Sequence, residues 1–257
     1  MTSLPGSLSR PTGRSTLDPR HHPMTAWLRG LADGRRPGSA ADRFRQRRFA
    51  MFRELVDALP GPVRILDIGG TTVFWERVGF AGHDRAEIVL INLMEQEAPH
   101  GNMSAQVGDA TDLSRYPDDA FDVVVSNSVL EHLPTLELQG RMAAEVLRVG
   151  RRAYVQTPNR YFPLEPHFLF PFFGILPMRV RAFLLRHMDL GWHKRQPDRA
   201  AALTDVRSIR LMTGGELRRL FPAARIVRER LLFLTKSYIV LDGWDGAPGR
   251  PGGDSAA

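Results

Sequence analysis

The sequence predicts an α/β fold: a doubly wound, mostly parallel seven-stranded sheet with a C-terminal antiparallel hairpin strand and a helical insert. Three observations carry this expectation. Seven short runs of strand-type residues, at 63–68, 87–91, 103–107, 121–126, 152–156, 224–234 and 237–241, are bounded by turn residues. Helical patterns at 41–59, 74–78, 136–147 and 215–221 fall between or beside them, which implies right-handed βαβ crossovers. The last two runs are separated only by Thr235-Lys236, so they form a hairpin and bring one antiparallel strand into the sheet.

Each element has its own reason. In 41–59, Phe44, Phe49, Phe52, Leu55 and Leu59 recur at helical spacings, and Pro60-Gly61-Pro62 stops the helix. Residues 63–68 are a nearly continuous apolar run, as a strand buried on both faces requires. The flanks read differently. Residues 1–38 are rich in Pro, Gly, Ser, Thr and Arg, with Trp27 and Leu28 as the one bulky apolar pair, and 246–257 are similar in composition. Both are expected to be disordered tails around a domain at 39–245, because so little apolar surface cannot offset the cost of ordering.

Composition narrows the function. The chain has 257 residues, 43% of them hydrophobic and 25% charged, enough for a sizeable core. It has no cysteine, so disulfides, thiolate metal sites and cysteine nucleophiles are excluded. No eighteen-residue apolar run occurs, and no apolar stretch follows the charges of residues 1–20, so a cytoplasmic location is expected. The net charge of +7 resides in residues 1–50, where ten arginines face three aspartates, while the remainder is balanced. A charge excess confined to one end says little about a site elsewhere, so nucleic acid is not expected as the main partner.

In a doubly wound sheet a ligand sits beyond the carboxyl ends of the strands. The first strand ends in Leu66-Asp67-Ile68-Gly69-Gly70-Thr71-Thr72, whose glycines allow close backbone approach. The second ends at Asn92, able to bond ribose hydroxyls as donor and acceptor. The third is followed by Gly108-Asp109-Ala110; Asp109 can accept from an adenine amino group beside the small Ala110, or it can simply cap the next turn. The fourth delivers Ser126 and Asn127 to the same rim, with Glu131 and His132 one turn later.

Past the fifth strand, Pro163-Leu164-Glu165-Pro166-His167 offers a second carboxylate and histidine. The flanking prolines favour an extended segment, in which residues two apart point the same way and Glu165 orients His167; the pair can equally fasten the insert to the body. His132 reads first as a residue at a helix start that faces the cleft. No histidine spacing suited to a metal occurs, so none is expected.

The order of these strand-end motifs resembles class I S-adenosylmethionine-dependent methyltransferases, over roughly residues 44–242. The stretch QTPNRYFPLEPHFLFPFFGILP at 156–177 looks like a subgroup of bacterial methyltransferase-domain proteins. The resemblance implies a Rossmann-like fold and S-adenosyl-L-methionine as cofactor. Asp67, Gly69, Gly70 and Thr71 would shape the methionine-side loop, Asn92 the ribose position, Asp109 and Ala110 the adenine end, and Ser126 and Asn127 the floor. The pattern departs from the family's D-x-G-x-G-x-G, since Thr71 and Val73 stand at two glycine places and Asn92 replaces an acidic residue.

With an activated donor, catalysis is mainly placement plus, for a hydroxyl acceptor, removal of a proton; His167, Glu165 and His132 are the candidate catalytic residues. A lid insert at about 158–205 is dense in Phe, Leu and Pro, which suits a small-molecule or lipid-like acceptor, or peripheral contact with a membrane. Two other readings remain: a non-catalytic binding protein on the same fold, and an RNA methyltransferase using its arginine-rich arm.

Overall fold

A computed structural model describes residues 39–244; the expectations for the two tails, and for Trp27 and Leu28, lie outside these residues. In chain order the elements are α1 (Ala40–Asp57), β1 (Val63–Ile68), α2 (Thr72–Val78), β2 (Ala86–Asn92), β3 (Met103–Val107), β4 (Val123–Asn127), α3 (Leu136–Val149), β5 (Ala153–Pro158), α4 (Met178–His187), α5 (Arg199–Arg207), α6 (Gly214–Leu220), β6 (Arg225–Leu231) and β7 (Leu234–Asp242). The seven strands form one sheet in the order β3-β2-β1-β4-β5-β7-β6. The pairs from β3 to β5 are parallel, whereas β7 runs antiparallel to both β5 and β6. The chain reverses direction across the sheet between β1 and β4, so the ends of β1, β2, β3 and β4 share one rim.

Residues of β1 are buried except Arg64, and alternate ones serve opposite faces. Val63 and Ile65 join Phe52, Trp75, Phe80 and Tyr154 in the core beneath α1 and α2. Leu66 and Ile68 join Met142, Val146, Leu217 and Phe221 beneath α3 and α6. The first core is aromatic: Phe52 meets Tyr154 with ring centres 5.1 Å apart and Trp75 at 5.7 Å, both edge to face. Helix starts are fixed locally. Ser39 accepts from the Asp42 amide, Thr135 from the Leu138 amide, and Thr213 with Glu216 forms a reciprocal capping box.

The hairpin forms, but not where the sequence suggests. Its turn is Leu232-Phe233, with Leu232 at φ 56°, and Thr235-Lys236 belong to β7. The two turn side chains are exposed and apolar, whereas turn prediction rests on polar residues. A register shift at Glu229/Arg230 completes the departure from a regular ladder.

Between β5 and α6 the chain leaves the sheet and returns, and a bridge between Asn159 and Met212 closes the excursion. The segment has its own small core, in which Phe168, Phe173, Leu185, Val206 and Leu211 are buried between α4 and α5. Gln139 of α3 ties its exit to the sheet. The amide nitrogen of Gln139 donates to Leu130 O and Arg210 O, both at 2.9 Å, and its oxygen accepts from Arg210 at 2.6 Å.

Candidate active site

The loop after β1 is shaped by one buried carboxylate. Asp67, 2% exposed, accepts from the Trp75 indole at 2.7 Å, and its side chain fills the space where Gly70 would carry a Cβ: an added carbon would lie 1.5 Å from Asp67 Oδ2. Gly69 has φ +73°, with Val129 against the position of its absent side chain. Thr71 is extended at φ −131°, which any residue adopts, so the backbone does not demand glycine there. Its hydroxyl makes no cap bond to the following helix.

Asn92 donates to Gly70 O at 3.0 Å and so pins the loop while leaving its oxygen for another donor. Asp109 Oδ1 accepts from both the amide and hydroxyl of Thr111 at 2.8 Å. Turn capping, one of the two readings open for Asp109, is therefore a role that it fills; Ala110 next to it is half-buried. Ser126 is fully buried, and its hydroxyl has no hydrogen-bond partner among the described residues. Asn127 ends β4 half-buried.

Burial pushes the Asp67 acid up to about 7, against the lowering hydrogen bond from Trp75. Folding thus favours the protonated acid. The stability this contributes is full below the unfolded value of 3.8 and is lost as pH rises through about 7. Asp67→Asn keeps an acceptor for Trp75 and removes the charge. Its urea stability is expected to gain on the wild type between about pH 4 and about pH 8, by on the order of 1.4 kcal/mol for each unit of the shift. Parallel stability curves would contradict a neutral buried acid.

A second group of side chains stands beside this rim. Ser128 takes the left-handed conformation at φ 59°, held by Gln156 through Ser128 N to Gln156 O at 3.0 Å and Ser128 Oγ to Gln156 Oε1 at 2.8 Å. A short turn of 3-10 helix at Leu130–His132 follows. Glu131 is fully buried, accepts from Thr157 Oγ1 at 2.9 Å, and keeps its other oxygen without a partner. Burial holds its acid above the usual carboxylate range, opposed by the charge of His167 and the Thr157 bond. His132 is exposed and meets the His167 ring edge to face at 5.1 Å.

Glu165 and His167 do come together, though not in an extended segment. Residues 166–168 form a turn, with Leu169 N donating to Glu165 O at 2.9 Å. Glu165 caps it, one oxygen accepting from the His167 and Phe168 amides at 3.0 and 2.6 Å. The other oxygen meets His167 Nδ1 at 2.6 Å. Local amides thus outcompete the extended geometry that the prolines favour. Burial works against the His167 cation, but the bond and charge of Glu165 and the charge of Glu131 prevail, raising it above an ordinary histidine. The His132 ring is partly screened from water although the residue as a whole is exposed, and this desolvation, then the charge of His167, lowers it.

Residues 66–155 match the sequence pattern of the methyltransferase domain family. Over this segment, about a third of the chain, the protein is similar to methyltransferase domains. The matched span runs from β1 into β5 and so contains the loops that follow β1, β2, β3 and β4, but not Glu165 and His167. Among curated proteins, the chain is 35% identical over 71 residues to uncharacterized proteins of two Mycobacterium tuberculosis strains, 28% of this chain and 24% of theirs. It therefore spans about a quarter of the length of the curated relatives it matches. A protein from Bordetella parapertussis has the same fold, with a TM-score of 0.51 at 14% identity over 84% of this chain and 78% of that one. The 1,6-didemethyltoxoflavin-N1-methyltransferase of Burkholderia thailandensis, solved with S-adenosylhomocysteine, gives 0.47 at 16% identity over 88% and 91%.

The resemblance implies S-adenosylmethionine as cofactor, and two polar groups at the rim suit such a ligand. Ser126 presents a buried hydroxyl with no partner among the described residues, and Asn92 keeps an acceptor. Reading the sequence did not single out Ser128, Gln156, Thr157 or the burial of Glu131, which arise from β4 and β5 lying side by side. Nor could sequence spacing show that Glu131, His132 and His167 each bring a ligand atom within 4.8 Å of the others, a set chemically able to hold a cation.

Proposed function

We propose that the protein methylates a small, partly apolar acceptor, with His167 removing the acceptor's proton and Glu165 holding the imidazole. The observation that carries this reading is the 2.6 Å contact between Glu165 and His167 Nδ1, which leaves Nε2 as the free basic nitrogen. Asp67, Gly69, Gly70 and Thr71 hold the methionine side of the cofactor, Asn92 the ribose, Asp109 and Ala110 the adenine end, and Ser126 and Asn127 the floor. The bound cofactor supplies an electrophilic methyl group on sulfur. What the chain contributes is placement, exclusion of water by the insert, and transfer of one proton through His167. His132, exposed against the His167 ring, keeps that ring's orientation.

The insert supports a small acceptor: it borders a cleft of about 250 Å³ whose lining mixes apolar side chains with arginines and Glu165. Titration of the purified protein with S-adenosylmethionine, followed by methyl-labelling of host extract, tests the function. Label in a small molecule supports it. Failure to bind the cofactor would leave a non-catalytic binding protein, and label in RNA would favour an arm-guided RNA methyltransferase.

A further inference from the structure

The cavity in the insert is lined by four arginines that no other part of the site uses. Arg181 is fixed by donating to Leu176 O at 2.8 Å and Gly174 O at 2.6 Å, and its guanidinium lies 5.7 Å from the centre of the Phe173 ring. Arg210 is fixed by Gln139 at 2.6 Å and paired with Glu216. Arg160 and Arg207 border the same cavity, and their guanidinium groups have no hydrogen-bond or ion-pair partner among the described residues.

Of these charges, Arg210 alone has an ion-pair partner among the described residues, Glu216. Glu165 is the one acidic residue on the wall, and its oxygens are already committed to His167 and two backbone amides. Burial, and then the neighbouring charge of Arg160, work against the Arg181 cation. Holding like charges beside apolar side chains costs free energy that an anion would recover, and guanidinium forks suit carboxylate and phosphate oxygens. The same lining includes apolar side chains, with Phe168 stacked on Phe173 at 4.3 Å and Leu211. Glu165 belongs both to this lining and to the His167 dyad.

We propose that the Arg160–Arg181–Arg207–Arg210 cavity binds the anionic end of the methyl acceptor, a carboxylate or phosphate monoester carried on a short apolar tail. The proposal rests on the methyl-transfer reading above for the word acceptor, but not for the site itself.

Calorimetric titration of the full chain with n-hexyl phosphate, hexanoate and 1-hexanol tests it, alongside a separate titration with S-adenosylhomocysteine. At least one anion is expected to bind at least tenfold more tightly than hexanol, and the stronger arm identifies the anion. The Arg160→Ala/Arg207→Ala double variant is expected to lose at least tenfold of that affinity while S-adenosylhomocysteine binds as before. Hexanol binding as well as the anions, unchanged anion affinity in the variant, or no anion binding up to about 10 mM would each overturn the proposal. Anion binding without S-adenosylhomocysteine binding would keep the site and remove the methyl-transfer reading; the converse would remove the site alone.

Discussion

Gly70→Ala is expected to lose S-adenosylhomocysteine affinity by about a hundredfold or more, the equivalent of ~2.7 kcal/mol, and to melt at a lower temperature. The cause is a collision that cannot be relieved cheaply. The new methyl would sit 1.5 Å from Asp67 Oδ2 and 2.1 Å from Asp67 Cγ. Asp67 cannot turn away without leaving the Trp75 indole, 2.7 Å distant and fully buried, with no acceptor, a loss of about 1 to 3 kcal/mol. The alternative is for the loop itself to move, which breaks the Asn92 bond to Gly70 O and displaces the backbone that faces the cofactor. Calorimetry and thermal denaturation on the same sample read both effects. Wild-type affinity in the variant would mean that this loop does not seat the cofactor.

The second large effect concerns His167. Its replacement by alanine is expected to lower kcat about 10²- to 10⁴-fold, the range for a general base, with little change in S-adenosylhomocysteine affinity. Glu165 acts through the imidazole, so its test needs more than a rate. A base works only when neutral, so the rate should rise with pH through the raised His167 value. In Glu165→Gln that inflection should move to lower pH, because the partner that favours the cation has lost its charge. An unmoved inflection would reduce Glu165 to a turn cap. Activity that disappears on dialysis against a chelator and returns with manganese would instead put a cation between Glu131, His132 and His167.

Much of this architecture is legible in the chain because β1 and β4 are runs whose apolar residues leave no polar face. Such runs have few destinations other than the middle of a parallel sheet, and the loops that follow them then share a rim. The hairpin turn is less legible because Leu232 and Phe233 break the rule that links turns to polar residues. The Glu165 turn was hidden for a different reason: the prolines speak for the backbone, and three donors from His167 and Phe168 decide in favour of the carboxylate. Asp109 illustrates a residue type that serves two roles equally well until its neighbour Thr111 is seen to claim it. The arginine cavity is invisible in one dimension, since Arg160 and Arg210 are fifty positions apart and meet only because the bridge at Asn159 and Met212 closes the insert.

Among the described residues, strand β6 ends one margin of the sheet. That margin carries Arg225, Arg228, Glu229 and Arg230 within seven residues, and the ladder is interrupted at Glu229/Arg230. A second molecule trying to extend the sheet there would have to strip water from the exposed Arg225, Arg228 and Arg230 and match an irregular spacing of amides. The same feature that spoils a regular hairpin thereby discourages self-association into fibrils at high concentration.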